Sequence, residues 1–215
     1  MRAFYLSRPA SEWKLRPEDL ATPQAFGRDP RLVWEWYDWR PALIAGCHPN
    51  AAHDVLASWS RRGGFTLITE NVDGLHERAG TRNVIRFHGS IWEMRCTLAC
   101  APSGAAWEDR RAPLPQIPPS CPQCGGLARP GVVWFGEPID ADVLARCDAA
   151  LACDVMLSVG TSSVVSPAAG LLHTAHNRGA FVAEINPVAT EASSTLDLAI
   201  AMPAEKALPL LDASG

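Results

Sequence analysis

Four of the seven cysteines fall into two close pairs, Cys96 and Cys100 in CTLAC and Cys121 and Cys124 in CPQCGG. This feature restricts the fold most. Four thiolates so spaced suit a single tetrahedral Zn2+ and tie a short, loop-rich stretch into a zinc-ribbon module. The second pair is C-x-x-C followed by Gly125 and Gly126, the form of a knuckle; three residues separate the first pair, which loosens its turn. The alternative is four unrelated thiols. A metal held by four thiolates has no open coordination position, so its role would be structural. An odd cysteine total argues against a disulfide framework, and Cys47, Cys147 and Cys153, lacking any such pairing, read as buried free thiols.

The cysteine-bearing stretch interrupts a different pattern. Four β-rich runs, at 65–69 (FTLIT), 84–87 (VIRF), 154–160 (DVMLSVG) and 181–186 (FVAEIN), alternate with stretches suited to helices and end in polar or glycine-containing residues. Such alternation predicts an α/β fold with a Rossmann-like parallel sheet. Ligands of open parallel sheets gather at the carboxyl ends of the strands, so Asn71, His88, Thr161 and Asn186 are expected around one crevice. Residues 92–130 form the inserted zinc module, and 1–91 with 131–215 form the main domain. Asp29 as N-cap and Pro30 at the first helical position open a helix expected over about 29–45, with the aromatic run VWEWYDW inside it.

Composition narrows the function. A net charge of −4 offers no field suited to a phosphate backbone, so no direct nucleic-acid binding is expected. No apolar run approaches a membrane span and the opening residues lack a signal-peptide core, so a cytoplasmic protein is expected.

Taken alone, a histidine at a strand end such as His88 is more often structural than catalytic. The surrounding segments change that reading. TENVDGLHERAG, FHGS, the paired cysteines, RPGVVWFGE, SVGTSSVVSPAAG and EINP occur in the order and approximate spacing of the sirtuins, NAD-dependent protein lysine deacylases. The resemblance extends through DLATPQAFGRDP and covers nearly the whole chain, and is closest to the branch that removes succinyl and malonyl groups.

The resemblance implies a reaction in which the acyl oxygen of a modified lysine attacks the nicotinamide ribose of NAD. Nicotinamide and O-acyl-ADP-ribose are released, and His88 is the general base on a ribose hydroxyl. An imidazole suits that task because it titrates near neutrality. The resemblance places Glu70, Asn71, Val72 and Asp73 on the ribose and carboxamide, although Asn and Asp also favour turns at strand ends. Gly160, Thr161 and Ser162 match the cofactor loop, Asn186, Pro187 and Val188 the adenosine side, and Ala204 a further cofactor contact. Val133, Phe135, Gly136 and Glu137 match the edge on which an acyl-lysine peptide binds as an added strand. Tyr37 and Arg40 match the Tyr-x-x-Arg pair of desuccinylases, where a phenol and a guanidinium grip an acyl carboxylate; the alternative is an aromatic core stripe ending in a solvated arginine.

The chain also departs from the family pattern. The Gly-Ala-Gly-x-Ser segment, its βα turn and its central strand are not found before EWKLRPEDLATP, which points to a reading frame that starts late, or to a relative that kept only a zinc-ribbon peptide-binding role. Glu70 stands for the usual glutamine and is an acceptor-only group. Pro41 is expected to push Arg40 out of helical geometry. Gly131, Met202 and Ala204 depart at positions that bear on cofactor affinity.

Overall fold

Prolines open three helices in succession: α1 (Pro17–Leu20), α2 (Pro23–Arg28) and α3 (Pro30–Ala45). Proline suits a first helical position because its missing N–H is one that a helix start leaves unpaired. The Thr22 hydroxyl accepts from the Ala25 N–H, and the Asp29 carboxylate accepts from the Leu32 N–H at 2.9 Å, so α3 starts where the sequence places it. These elements belong to a computed structural model that describes residues 16–100, 105–161 and 168–213.

Helix α3 does not break at Pro41, which corrects the expectation that this proline displaces Arg40. An interior proline costs a helix about 3 kcal/mol through its lost hydrogen bond and ring clash. Here Val33, Trp34, Trp36, Tyr37, Pro41 and Ile44 are all buried on one core, and the helix is pinned at Trp34, whose Nε1 donates to the Ala128 carbonyl at 2.9 Å. Burying several large side chains, each worth about 1.5–3 kcal/mol, outweighs the proline's local cost.

The remaining elements follow in chain order: α4 (Ala51–Trp59), β1 (Leu67–Thr69), α5 (Leu75–Arg78), β2 (Val84–Arg86), β3 (Gly89–Cys96), β4 (Trp107–Glu108), β5 (Ala128–Val132), α6 (Ala141–Ala150), β6 (Val155–Val159), α7 (Ala169–Asn177), β7 (Phe181–Ile185), β8 (Leu198–Ile200) and α8 (Ala204–Ala213). The four runs read as strands are β1, β2, β6 and β7. Strands β1 and β2 pair in parallel, Leu67 opposite Val84 and Thr69 opposite Arg86; β6, β7 and β8 form a second parallel ladder. Among the described residues these two ladders are separate.

The antiparallel sheet β4-β3-β5 carries the cysteine module. Strands β3 and β5 approach closely where Gly89 and Gly131 meet. A Cβ on Gly131 would lie 2.6 Å from the Cβ of Glu93, and one on Gly89, whose φ is +77°, would lie 2.2 Å from the Gly131 carbonyl oxygen. Gly131 is therefore demanded by strand packing, whatever its bearing on cofactor affinity.

Helices α1–α3 share one core with this sheet: Phe26, Trp34, Trp36 and Tyr37 pack with Trp92, Met94 and Trp134. Strands β1, β2, β6 and β7 are buried by separate clusters, such as Ile85 and Phe87 with Cys147 and Ala168. The boundary expected between 91 and 92 falls within β3. Among the described residues, no helix is long and apolar enough to cross a membrane.

Candidate functional site

The carboxyl ends of β1, β2, β6 and β7 converge. Glu70, which follows β1, accepts through Oε1 from the Thr161 hydroxyl at 3.1 Å, and the Asn186 side-chain amide donates to the Thr161 carbonyl at 2.8 Å. One chain of hydrogen bonds thus joins strand ends that lie far apart in sequence. The link is tightened by Gly160, whose φ of +65° turns the chain and whose N–H donates to the Ile185 carbonyl. His88, one residue past Phe87, places Nδ1 3.4 Å from the Glu70 carbonyl oxygen. That oxygen can only accept, so a proton on Nδ1 leaves Nε2 as the basic nitrogen.

The neighbouring residues divide. Asn71 is exposed, and its backbone N–H donates to the Thr69 hydroxyl. Val72 packs on the aromatic core, and its carbonyl accepts from the Ile91 N–H. Asp73 serves turn chemistry: Oδ1 accepts from the Leu75 N–H at 2.8 Å, and its carbonyl accepts from Trp92 Nε1 at 2.7 Å. Pro187 and Val188 are exposed just past β7, Val188 by 73%. Ala204 and Met202 pack against the cluster of Ile185 and Leu208. Ser162 lies outside the described residues.

This set fits a dinucleotide in part. A ribose offers hydroxyl donors, for which the Glu70 carboxylate and His88 Nε2 are acceptors, and Gly160 has open space where a Cβ would project.

In the segment expected to meet an acyl-lysine peptide, β5 ends at Val132, and residues 134–137 form a turn closed by the Glu137 N–H on the Trp134 carbonyl at 3.0 Å, with Gly136 at φ +83°. The expected edge is therefore short. The Val133 N–H donates to the His88 carbonyl and the Phe135 N–H to the Ala21 carbonyl, tying this segment to both the histidine and the helical layer. Among the described residues the carbonyls of Val133 and Phe135 and the N–H of Gly136 have no backbone partner, and the Phe135 ring is 49% exposed.

Each Glu137 oxygen already has a donor. Both carboxylate oxygens accept from Arg129, and one also accepts from the Trp134 N–H at 2.9 Å. Burial pushes its pKa up, but the Arg129 and Trp134 donors more than offset this and the carboxyl is held low. Arg129 and Trp134 were not singled out from the sequence; a tryptophan inside VVWFGE, whose indole N–H needs a partner when buried, was the available signal.

Tyr37 and Arg40 lie side by side on α3, the Arg40 guanidinium carbon 4.6 Å from the Trp36 ring centroid and 5.7 Å from that of Tyr37. The Tyr37 oxygen accepts from Trp134 Nε1 at 3.0 Å. Burial pushes the phenol's pKa up to about 12, against the pull of Arg40 and the Trp134 hydrogen bond, so it stays a neutral O–H donor. Arg40 makes no hydrogen bond or ion pair among the described residues.

The four cysteines predicted as ligands come together. All four sulfurs lie within 4.8 Å of one another, with Cys96 to Cys124 at 3.6 Å and Cys100 to Cys121 at 3.5 Å. Zn–S bonds of about 2.3 Å in a tetrahedron put sulfurs about 3.8 Å apart, so the set fits Zn2+. The longer first loop closes because Ala99 adopts a φ of 45°; in the second, Gly125 at φ 72° donates its N–H to the Cys121 carbonyl. The Cys100 N–H, ahead of the other donors, lowers the Cys96 thiol to about 6, whereas hydrogen bonding with Cys124, Cys121 and Cys96 pushes Cys100 up to about 12. Crowded thiols resist joint ionisation, which a bound dication relieves.

A parallel α/β sheet whose strand ends are joined by hydrogen bonds, in a chain that also carries a four-cysteine cluster, defines a class of protein, and similarity to known proteins gives the family. The Sir2 family pattern matches residues 13–167. A protein of Aquifex aeolicus named NAD-dependent protein deacylase is 49% identical over 187 residues, 86% of this chain and 77% of that protein. A Sir2 homologue–NAD complex superposes with a TM-score of 0.88 at 44% identity, covering 94% of this chain and 78% of that one. Sir2Tm bound to a propionylated peptide superposes at 0.83, 25% identical, over 96% and 88%. The chain belongs to the Sir2, or sirtuin, family.

Proposed function

We propose that this protein is an NAD-dependent protein lysine deacylase, with succinyl- and malonyl-lysine preferred over acetyl-lysine. The observation that carries the reading is the hydrogen-bonded set Glu70, Thr161 and Asn186 at the strand ends, with His88 against Glu70. NAD, when bound, supplies a ribose carbon activated by nicotinamide as its leaving group. His88 Nε2, with Nδ1 turned to a carbonyl, accepts a ribose hydroxyl proton, and the Glu70 carboxylate accepts a hydrogen bond from a second hydroxyl.

The acyl-lysine peptide pairs with the unpartnered backbone groups of Val133, Phe135 and Gly136. Phe135 covers its aliphatic stem, while Glu137 acts by shaping the turn. The acyl carboxylate meets the Tyr37 O–H and the Arg40 guanidinium. The homologue–NAD complex supports the cofactor part of the reading, and Sir2Tm bound to a propionylated peptide supports the acyl-lysine peptide part. Cys96, Cys100, Cys121 and Cys124 hold a structural Zn2+, which takes no part in the chemistry. The free thiols Cys47, Cys147 and Cys153 suit a reducing compartment such as the cytoplasm.

The test is mass spectrometry of succinylated, malonylated and acetylated lysine peptides incubated with and without NAD. Deacylation and stoichiometric nicotinamide release should require NAD, and His88→Ala should lower turnover by about a hundredfold or more while the protein stays folded. Peptide binding without turnover would instead favour a non-catalytic peptide-binding module.

A further inference from the structure

Arg129 lies on β5, outside the segment that meets the peptide, yet its guanidinium is the most heavily engaged cation among the described residues. It donates to both oxygens of Glu137, with Nη2 to Oε2 at 2.8 Å, and Nη2 also donates to the Val132 carbonyl at 3.0 Å. Its central carbon sits 3.6 Å from the Trp134 ring centroid, a stacked arrangement that leaves Nε buried without an acceptor. The Glu137 oxygen that binds Arg129 Nη2 also accepts from the Trp134 N–H. Trp134, 3% exposed, is thus held at its backbone by Glu137 and across its ring face by Arg129. Its remaining polar group, the indole N–H, reaches across the core to the Tyr37 oxygen, 97 residues away in sequence.

We propose that Arg129 is a positioning residue for acyl-lysine binding and acyl choice. Its clamp on Glu137 and Trp134 sets the 134–137 turn that presents Phe135 and Gly136, and through the Trp134 indole it sets the Tyr37 phenol. The indole N–H occupies a lone pair of the phenol oxygen, so the phenol's own hydrogen points elsewhere as a donor. A donor in that position matches a carboxylate-bearing acyl group and gives nothing to an acetyl methyl. The inference rests on the deacylase reading for its substrate, but the clamp itself is independent of turnover. Lysine could keep the charge at 129, but its single ammonium could not grip two carboxylate oxygens and stack flat on an indole together.

The experiment compares the parent with Arg129→Met, Arg129→Lys and Trp134→Phe. In Arg129→Met, peptide KM should rise, by about tenfold for the succinyl peptide, the loss expected of one charge-assisted contact, and by less for the acetyl peptide, so that the acyl ratio also falls, with kcat and KM for NAD moving far less. Arg129→Lys should restore part of the loss. Trp134→Phe keeps an aromatic ring, smaller than the indole, but not the N–H, and should cut the succinyl-to-acetyl ratio of kcat/KM about fivefold, as for one neutral hydrogen bond. The Trp134 indole resonance in a 1H–15N spectrum of substrate-free protein should shift and broaden in Arg129→Met.

A folded Arg129→Met enzyme with parental peptide KM and acyl ratio would overturn the proposal while leaving the deacylase reading intact. Should the parent turn over no acyl peptide, that reading fails alone and the indole resonance decides the clamp: a sharp, unmoved signal in Arg129→Met overturns it. KM values for NAD and peptide rising together would also overturn it, as the mark of a general structural effect.

Discussion

Replacing Arg40 with methionine tests whether its guanidinium chooses the acyl group. The side chain sits on the helix face it shares with Tyr37, stacked on Trp36 at 4.6 Å and without a hydrogen-bonding partner among the described residues. A carboxylate brought to it gains a hydrogen bond between charged groups, worth about 1.5–3 kcal/mol. That corresponds to a roughly tenfold to hundredfold advantage in kcat/KM for succinyl- over acetyl-lysine. Arg40→Met keeps the apolar stem over Trp36 and loses only the cation–π part, about 0.5–1 kcal/mol, so the melting temperature should fall by only a few degrees. The assay is kcat/KM on matched succinylated and acetylated peptides at saturating NAD, with the melting temperature measured in parallel. The ratio should collapse toward unity through loss of the succinyl rate. A parent without preference, or a preference untouched by Arg40→Met in a folded protein, would refute the argument and leave Arg40 a solvated arginine on an aromatic stripe.

Two further outcomes follow from other parts of the molecule. Purified protein should carry one zinc per chain by metal analysis; stripping it with a chelator, or Cys124→Ser, should loosen residues 92–130 first, seen as faster amide exchange there than in β6 and β7. His53 and His76 lie with ring centroids 4.8 Å apart and planes tilted by 45°, and burial, opposed by Asp73, holds both below the ordinary value of 6.5. The unfolded chain therefore takes up protons first as the pH falls. Stability is full above about 6.5 and declines as the pH drops below it toward the lowered folded values. The urea midpoint should fall between pH 7.5 and 5.5, and fall less in His53→Gln; equal falls in both proteins would remove these histidines as the cause.

Features that depend on near neighbours were legible in the amino-acid sequence. Asp29 and Pro30 define the start of α3, because a cap and a preset φ act within one turn. The four runs became β1, β2, β6 and β7, while β3 and β5 were not read from it: β3 buries Ser90, Ile91 and Trp92 in succession, without the clean alternation that marks a half-exposed strand, and β5 reads Ala-Arg-Pro-Gly-Val. Cysteine spacing foretold the ligand set because a tetrahedral ion requires so narrow a geometry.

Long-range packing settled the rest. Local rules predicted that Pro41 would disturb Arg40, but a buried helix face overrides a single lost hydrogen bond. Nothing local joins Glu70 to Thr161 or Trp134 to Tyr37, contacts that exist because strand ends and helix faces are brought together across the core. Residue types near a site are legible in sequence because chemistry selects them one by one. Which oxygen is free and which is already occupied, as Glu137 shows, depends on the full set of donors around it, and that set is assembled only when the chain folds.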